Sequence, residues 1–225
     1  MRHSFFALLL TATALGSSQA AALDVPFTEE FETGNSNWRD AGSNPLGWAA
    51  SGGPDGSSYA TGSFNYLGFV GPFGSGPITF RGNASAAASG GAFAGDWNTG
   101  GVTRVGAWFR HDAPVDLTLL LRITLVGFPA VAYQGSTPIA PNTWTFVQFD
   151  VGPGDPCVEE GTTCDAAKAN VGNIQFGTNA PEALTTLDRA IELDIDGITI
   201  VPEPGTLVLL TSGALGLGLV ARRRA

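Results

Sequence analysis

Two consecutive segments in the middle of the chain repeat with period two, and within residues 23–200 helix is expected only as short turns. Val102 to Arg110 sets Val105, Ala107 and Phe109 on one face and Arg104, Trp108 and Arg110 on the other. Successive side chains of a strand alternate between faces, so this segment is a half-buried strand. Leu117 to Val126 puts Leu117, Leu119, Leu121, Ile123 and Leu125 on one face and adds Leu120 and Val126 to the other. That pattern predicts a strand covered on most of both sides. Thr143 to Val151 and Ile191 to Val201 read as two more strands, rich in β-branched and aromatic residues. The helical turns are expected over Asp165 to Asn170 and Ala180 to Leu187. The fold class is therefore all-β, an antiparallel β-sandwich of jelly-roll type over residues 23–200.

The edges of that domain carry a second pattern. Phe27-Thr-Glu-Glu-Phe-Glu-Thr-Gly followed by Trp38 resembles the first strand of jelly-roll carbohydrate-binding modules. Leu193-Asp-Ile-Asp-Gly-Ile-Thr-Ile200 resembles their last strand. In such modules the first and last strands are neighbours and share a structural calcium ion, which the resemblance places at Glu32 and Asp196. The residues themselves add Asp194: strict alternation sets Glu192, Asp194 and Asp196 on one face, joined by Ile198 and Ile200. Calcium takes six to eight oxygens, and Gly197 could mark a bulge that aims Asp196 inward. A plain solvated edge is the alternative.

Both ends of the chain read as addresses. Met1-Arg2-His3 followed by the apolar Phe5 to Gly16, with small residues at Ser18-Gln19-Ala20 and Ala20-Ala21-Ala22, predicts a signal helix over 1–22. Sec translocon and signal peptidase are its expected partners. At the far end, Val201-Pro202-Glu203-Pro204-Gly205 precedes an uncharged run, Thr206 to Ala221, and then Arg222, Arg223 and Arg224. The prolines should end any strand ladder, and the arginines should hold the run's end in the cytoplasm. The sixteen residues of the run span roughly 24 Å as a helix, against a hydrocarbon core of about 30 Å. Segment 201–225 closely resembles the PEP-CTERM sorting signal, with the motif on Pro202, Glu203 and Pro204 and the basic cluster on Arg222, Arg223 and Arg224. The resemblance implies a C-terminal transmembrane helix, an exosortase-type membrane peptidase as partner, and a surface or biofilm-matrix protein of a Gram-negative-type bacterium that makes exopolysaccharide.

Cys157 and Cys164 are the only cysteines. In an oxidising compartment they should pair, which closes one loop and contributes roughly 2.5 kcal/mol by the loop-entropy formula. No second cysteine pair or nearby histidine completes a metal site.

Of the 20 acidic residues one is Glu203, and of the 11 basic ones four are Arg2 and Arg222 to Arg224, so residues 23–201 carry 19 against seven. Such a surface excludes nucleic acid as a partner. Sugars stack on aromatic faces, and Trp38, Trp48 and Trp97, set among Gly, Ser and Asn, are the candidate exposed platforms, with packing in the core or a loop the favoured alternative for any one of them. Trp144 is expected in the core. A secreted hydrolase would need His111, which is expected to end its strand as a surface residue, as base for a serine such as Ser57 or Ser58. No nucleophile-elbow signature accompanies them. The resulting expectation is an exported, non-catalytic protein that binds exopolysaccharide, with a purely structural matrix protein as the alternative.

Overall fold

The computed structural model describes residues 23–70 and 76–203. The expected signal helix, the C-terminal helix, Pro204 and Arg222 to Arg224 lie outside the described residues. In chain order the described strands begin with β1 (Phe27–Glu29), β2 (Gly47–Ala49), β3 (Tyr59–Asn65), β4 (Ile78–Asn83), β5 (Val102–His111) and β6 (Leu117–Thr124). They continue with β7 (Ala130–Ile139), β8 (Thr145–Asp150), β9 (Val158–Glu160), β10 (Asn173–Thr178) and β11 (Ala190–Pro202). Two short helices, α1 (Cys164–Lys168) and α2 (Glu182–Thr185), overlap the two expected turn segments. Thr163 opens α1, its Oγ1 accepting a hydrogen bond from the Ala166 amide.

Pairing produces two antiparallel sheets, and the molecule is a β-sandwich. The first runs β2-β3-β11-β5-β8, with β1 also on β11, and the second runs β4-β10-β6-β7-β9. The period-two residues explain the core. Val105, Ala107 and Phe109 of β5 and Ile191, Leu193 and Ile195 of β11 are buried against Leu119, Leu121, Phe80 and Phe176 of the second sheet. The Phe80 and Phe109 rings meet edge to face at 6.0 Å across the interior. As its composition predicts, β6 is buried on both sides: Leu120 is buried but lies outside the main core cluster.

The first and last strands are neighbours as expected, with Phe27 opposite Ile200. The bulge at Gly197 also forms: the register with β5 shifts between Asp196 and Thr199, and Gly197 has φ +53°. A side chain there would suffer both the left-handed backbone and a Cβ only 3.0 Å from the Trp108 ring. The consequence differs from strict alternation. Two residues oppose one at a bulge, so the parity flips. Ile198 and Ile200 join the core face, while Asp194 and Asp196 remain on the outer face.

Pro202 corrects a second expectation. The ladder does not stop before it: β11 runs through Pro202, which pairs with Val102 across a register shift, and the Glu203 amide donates to Gly101 O. Proline is tolerated at a strand's last position, where one missing donor interrupts nothing further. The expected disulfide Cys157–Cys164 is present and ties the start of β9 to the start of α1.

Candidate functional site

Two of the three expected aromatic platforms are core residues. Trp38 is fully buried, packs against Phe31, Phe93 and Phe176, and donates from Nε1 to Ser89 Oγ at 2.8 Å. Gly82 makes the space, since a Cβ there would lie 2.7 Å from the Trp38 ring. Trp97 is equally buried and donates to Phe93 O at 2.9 Å. Their Gly/Ser/Asn-rich flanks read as exposed loop, yet these segments fold back onto the sandwich, so neither ring can stack on a ligand. Trp48 remains 40% exposed on β2, its Nε1 donating to Phe31 O.

His111 and Trp144 also change places. His111 does end β5 but is buried; Nδ1 accepts from the Ala113 amide, so Nε2 carries the proton and donates to Ile139 O at 2.9 Å. Burial lowers its pKa below the usual 6.5, against the raising effects of that bond and of Asp112. It is a satisfied core imidazole and is not placed to serve as a base. Trp144 leaves the core for the outer face of the first sheet, where its Nε1 donates to Gly52 O.

That outer face is organised around Arg110. Its Nε donates to Asp194 Oδ2 at 2.9 Å, its other nitrogens reach Asp194 Oδ2 and Gly52 O, and its guanidinium lies 5.0 Å from the Tyr59 ring and 4.7 Å from the Trp144 ring. Burial alone would lower the Arg110 pKa, but the Asp194 hydrogen bond and charge reverse this and raise it. Trp108 and the half-exposed Phe146 continue the surface, their rings 5.4 Å apart.

β1 and β3 both pair along one edge of β11, and Asp196 occupies the notch between them. Its Oδ2 accepts from Ser57 Oγ at 2.7 Å and its Oδ1 from the Gly197 amide at 2.8 Å. Burial raises its pKa, with a smaller contribution from Glu29 and Asp55 and against those two hydrogen bonds. Glu30 beside it is raised by burial first, then by Asp196, Glu32 and Glu29. The carboxylates expected to hold calcium have other partners or face solvent. Asp194 is turned to Arg110, Asp196 is held by Ser57 and Gly197, and Glu32 is exposed. Among the described residues no three His, Cys, Asp or Glu side chains are arranged to hold a metal ion.

The outer face of the second sheet carries a cavity of about 600 Å³. Its aromatic walls include Phe64, Phe69 and Phe128, and Leu120, Arg81 and Arg122 rise from the strands beneath. Register explains the arginines. Arg81 of β4 and Arg122 of β6 both lie opposite Gln175 of β10, so the three form one row across adjacent strands. Glu160 of β9 closes the row: its Oε2 accepts from Arg122 Nε at 2.8 Å and from an Arg122 terminal nitrogen at 2.5 Å, while Gln175 Oε1 accepts from the other at 3.0 Å. The disulfide is one residue from β9 and anchors the strand that supplies Glu160. Arg81 is different. Its Nε is buried with no hydrogen-bond partner, and burial, followed by the Arg122 charge, lowers its pKa against the opposing pull of Asp40.

None of the residues on this floor stands out by periodicity. The available signal is a single arginine inside an otherwise apolar strand, Leu119-Leu-Leu-Arg-Ile123. A charge in a strand covered on both sides has to meet a partner, a cavity or both.

Residues 201–224 match the family model described as the PEP-CTERM protein-sorting motif. The chain thus carries the sorting signal of an exported, membrane-transiting protein. No curated protein matches it. Among solved structures, it is 11% identical to the N-terminal modules of a Clostridium thermocellum endo-1,4-β-D-xylanase complexed with xylohexaose, with a TM-score of 0.47, covering 80% of this chain and 29% of that one. It therefore spans less than a third of that protein. It is also 11% identical to the C-terminal family 22 carbohydrate-binding module of a C. thermocellum xylanase, with a TM-score of 0.47, covering 83% of this chain and 98% of that one.

Proposed function

We propose that this exported chain is a non-catalytic saccharide-binding protein of the cell surface or extracellular matrix, with the cavity on the second sheet as its site. The observation that carries the reading is the combination of aromatic walls and planar polar groups within one cavity of about 600 Å³. A pyranose ring has apolar C–H faces that rest on aromatic rings, and hydroxyls that need fixed donors and acceptors. Phe64, Phe69 and Phe128 offer the first, and Arg122 with Glu160, held in turn by Gln175, offers the second. Glycoside hydrolysis needs two carboxyl groups flanking the scissile bond. Glu160 is committed to Arg122, and Glu159 is its immediate neighbour on β9 rather than a group facing it across the cavity. The sorting signal would bring the protein to an exosortase-type peptidase in the membrane and then to the surface.

Affinity electrophoresis of the full-length chain in detergent against a panel of polysaccharides tests the reading. Retardation by at least one polysaccharide is expected. Phe128→Ala, at a ring 71% exposed, is expected to weaken it by about fivefold or more, since loss of a stacked aromatic contact removes about 1 kcal/mol or more. Mobility unchanged by every polysaccharide would overturn the proposal and favour a purely structural matrix protein.

A further inference from the structure

The described residues contain six arginines; two of them stand in one row of the second sheet, Arg81, then Gln175, then Arg122, and Arg39, outside the sheet, is bridged to Arg81. Neighbouring strands are about 4.8 Å apart, so Arg81 and Arg122 project from backbones roughly 10 Å apart over the same cavity. In a chain with net charge −9 this is a local concentration of cations. Like charges on adjacent strands destabilise a sheet unless something neutralises them.

The neutralisation is incomplete. Arg122 has Glu160 and Gln175, and Arg39 is turned back to Ser43 O. Arg81 has no ion pair among the described residues, its Nε is a buried donor without an acceptor, and it lines the cavity. The nearby Asp40 is engaged by the Asn44 amide and side chain. A partly buried guanidinium without a counter-charge disfavours the folded state unless an anion reaches its cavity-facing side. The acceptor that matches a guanidinium fork is a planar or tetrahedral oxyanion.

Building on the saccharide-binding reading, we propose that the cavity selects an acidic saccharide, its carboxylate or sulfate seated on Arg81 with Arg122 beside it. The anion meets the part of the Arg81 guanidinium that borders the cavity, the sugar ring rests against the aromatic wall, and Glu160 keeps Arg122 from swinging away.

Calorimetric titration of the full-length protein in detergent with three oligosaccharides of one backbone tests this: a uronate form, its carboxyl-reduced neutral form and a sulfated form. At least one acidic form is expected to bind about tenfold or more tighter than the neutral one, the size of a charge-assisted hydrogen bond. Arg81→Gln is expected to remove that preference, so that acidic and neutral forms bind alike, while leaving the melting temperature in place. Arg81→Lys keeps the charge without the fork and should fall between. High salt should reduce the acidic preference by screening. Equal binding of acidic and neutral forms, unaffected by Arg81→Gln, would overturn the proposal and leave the saccharide reading standing. No binding of any form would overturn both.

Discussion

Arg110 and Arg81 are the same residue on the outer faces of two sheets packed back to back, and they meet opposite circumstances. Arg110 donates to Asp194 and to Gly52 O and lies against Tyr59 and Trp144, so its charge and its flat faces are both covered by the protein itself. Arg81 borders a cavity, has a buried nitrogen with no acceptor among the described residues, and is acted on more strongly by the Arg122 charge than by that of Asp40. A cation paired with a carboxylate and flanked by two aromatic rings belongs to the architecture. A cation left short of an acceptor beside open volume is suited to something that arrives later. Exposed aromatic rings alone would have pointed to the first face, where Trp108 and Phe146 lie, but the guanidinium without a counter-charge among the described residues points to the second.

The sharpest way to break that contrast is to remove each charge in turn. Arg110→Met leaves the Asp194 carboxylate buried and unpaired, and breaking such a pair costs about 3–5 kcal/mol. Urea denaturation should show a large drop in midpoint. Arg81→Gln removes a charge that the fold leaves uncompensated, so its stability should stay within about 0.5 kcal/mol of wild type or rise. Equal losses for the two variants would erase the distinction between an architectural and a ligand-facing arginine.

The disulfide gives the next largest effect and acts on the second face. Cys157 and Cys164 bracket β9, which supplies Glu160 to Arg122. Replacing both with serine should cost roughly 2.5 kcal/mol by loop entropy. Freeing β9 should also loosen Glu160 more than it loosens anything on the first face. Hydrogen exchange is the readout: amides of β7 and β9 should lose protection while those of β5 and β8 keep it. Uniform loss across both sheets would mean that the bridge stabilises the whole domain without particular care for the cavity.

How much of this was legible in the chain depends on how far each feature is local. β5, β6, β8 and β11 are long enough for alternation to show, and the two short helices have their own turn residues. β4, β7 and β10 are interrupted by Gly or Pro, and β9 has only three residues, so no period develops. Gly197 correctly marks a bulge, yet the parity flip that carries Ile198 and Ile200 into the core follows from the register with β5, which is not local. Trp38 and Trp97 mislead for a related reason. Their polar flanks suggest exposure, whereas Gly82, 44 positions away from Trp38 in the chain, clears the space that buries that ring. Arg81 and Arg122 are adjacent to Gln175 only because β10 comes between β4 and β6.

The smallest effect separates the acids of the first face from the cations of the second. Asp196 and Glu30 both have pKa values raised by burial, so within the window above the ordinary 3.8 and 4.5 the folded state holds more protons than the unfolded one. Stability then falls as pH rises through that window and stays lower above it. His111 works in the opposite direction: its pKa is lowered, so stability falls as pH drops below 6.5. Asp196→Asn should therefore raise the melting temperature at pH 7 by roughly 2–4 °C, equivalent to about 1 kcal/mol. Its amide can accept from Gly197 and donate to Ser57, so both hydrogen bonds survive. The gain should shrink as pH falls and vanish well below 3.8, where the carboxyl is protonated in either state. Calcium probes the same notch: with no ligand set assembled among the described residues, millimolar calcium should leave the wild-type melting temperature where EDTA leaves it. A rise that Asp196→Asn abolishes would instead mean that these carboxylates release their protons to an ion, and that the first face also waits for a ligand.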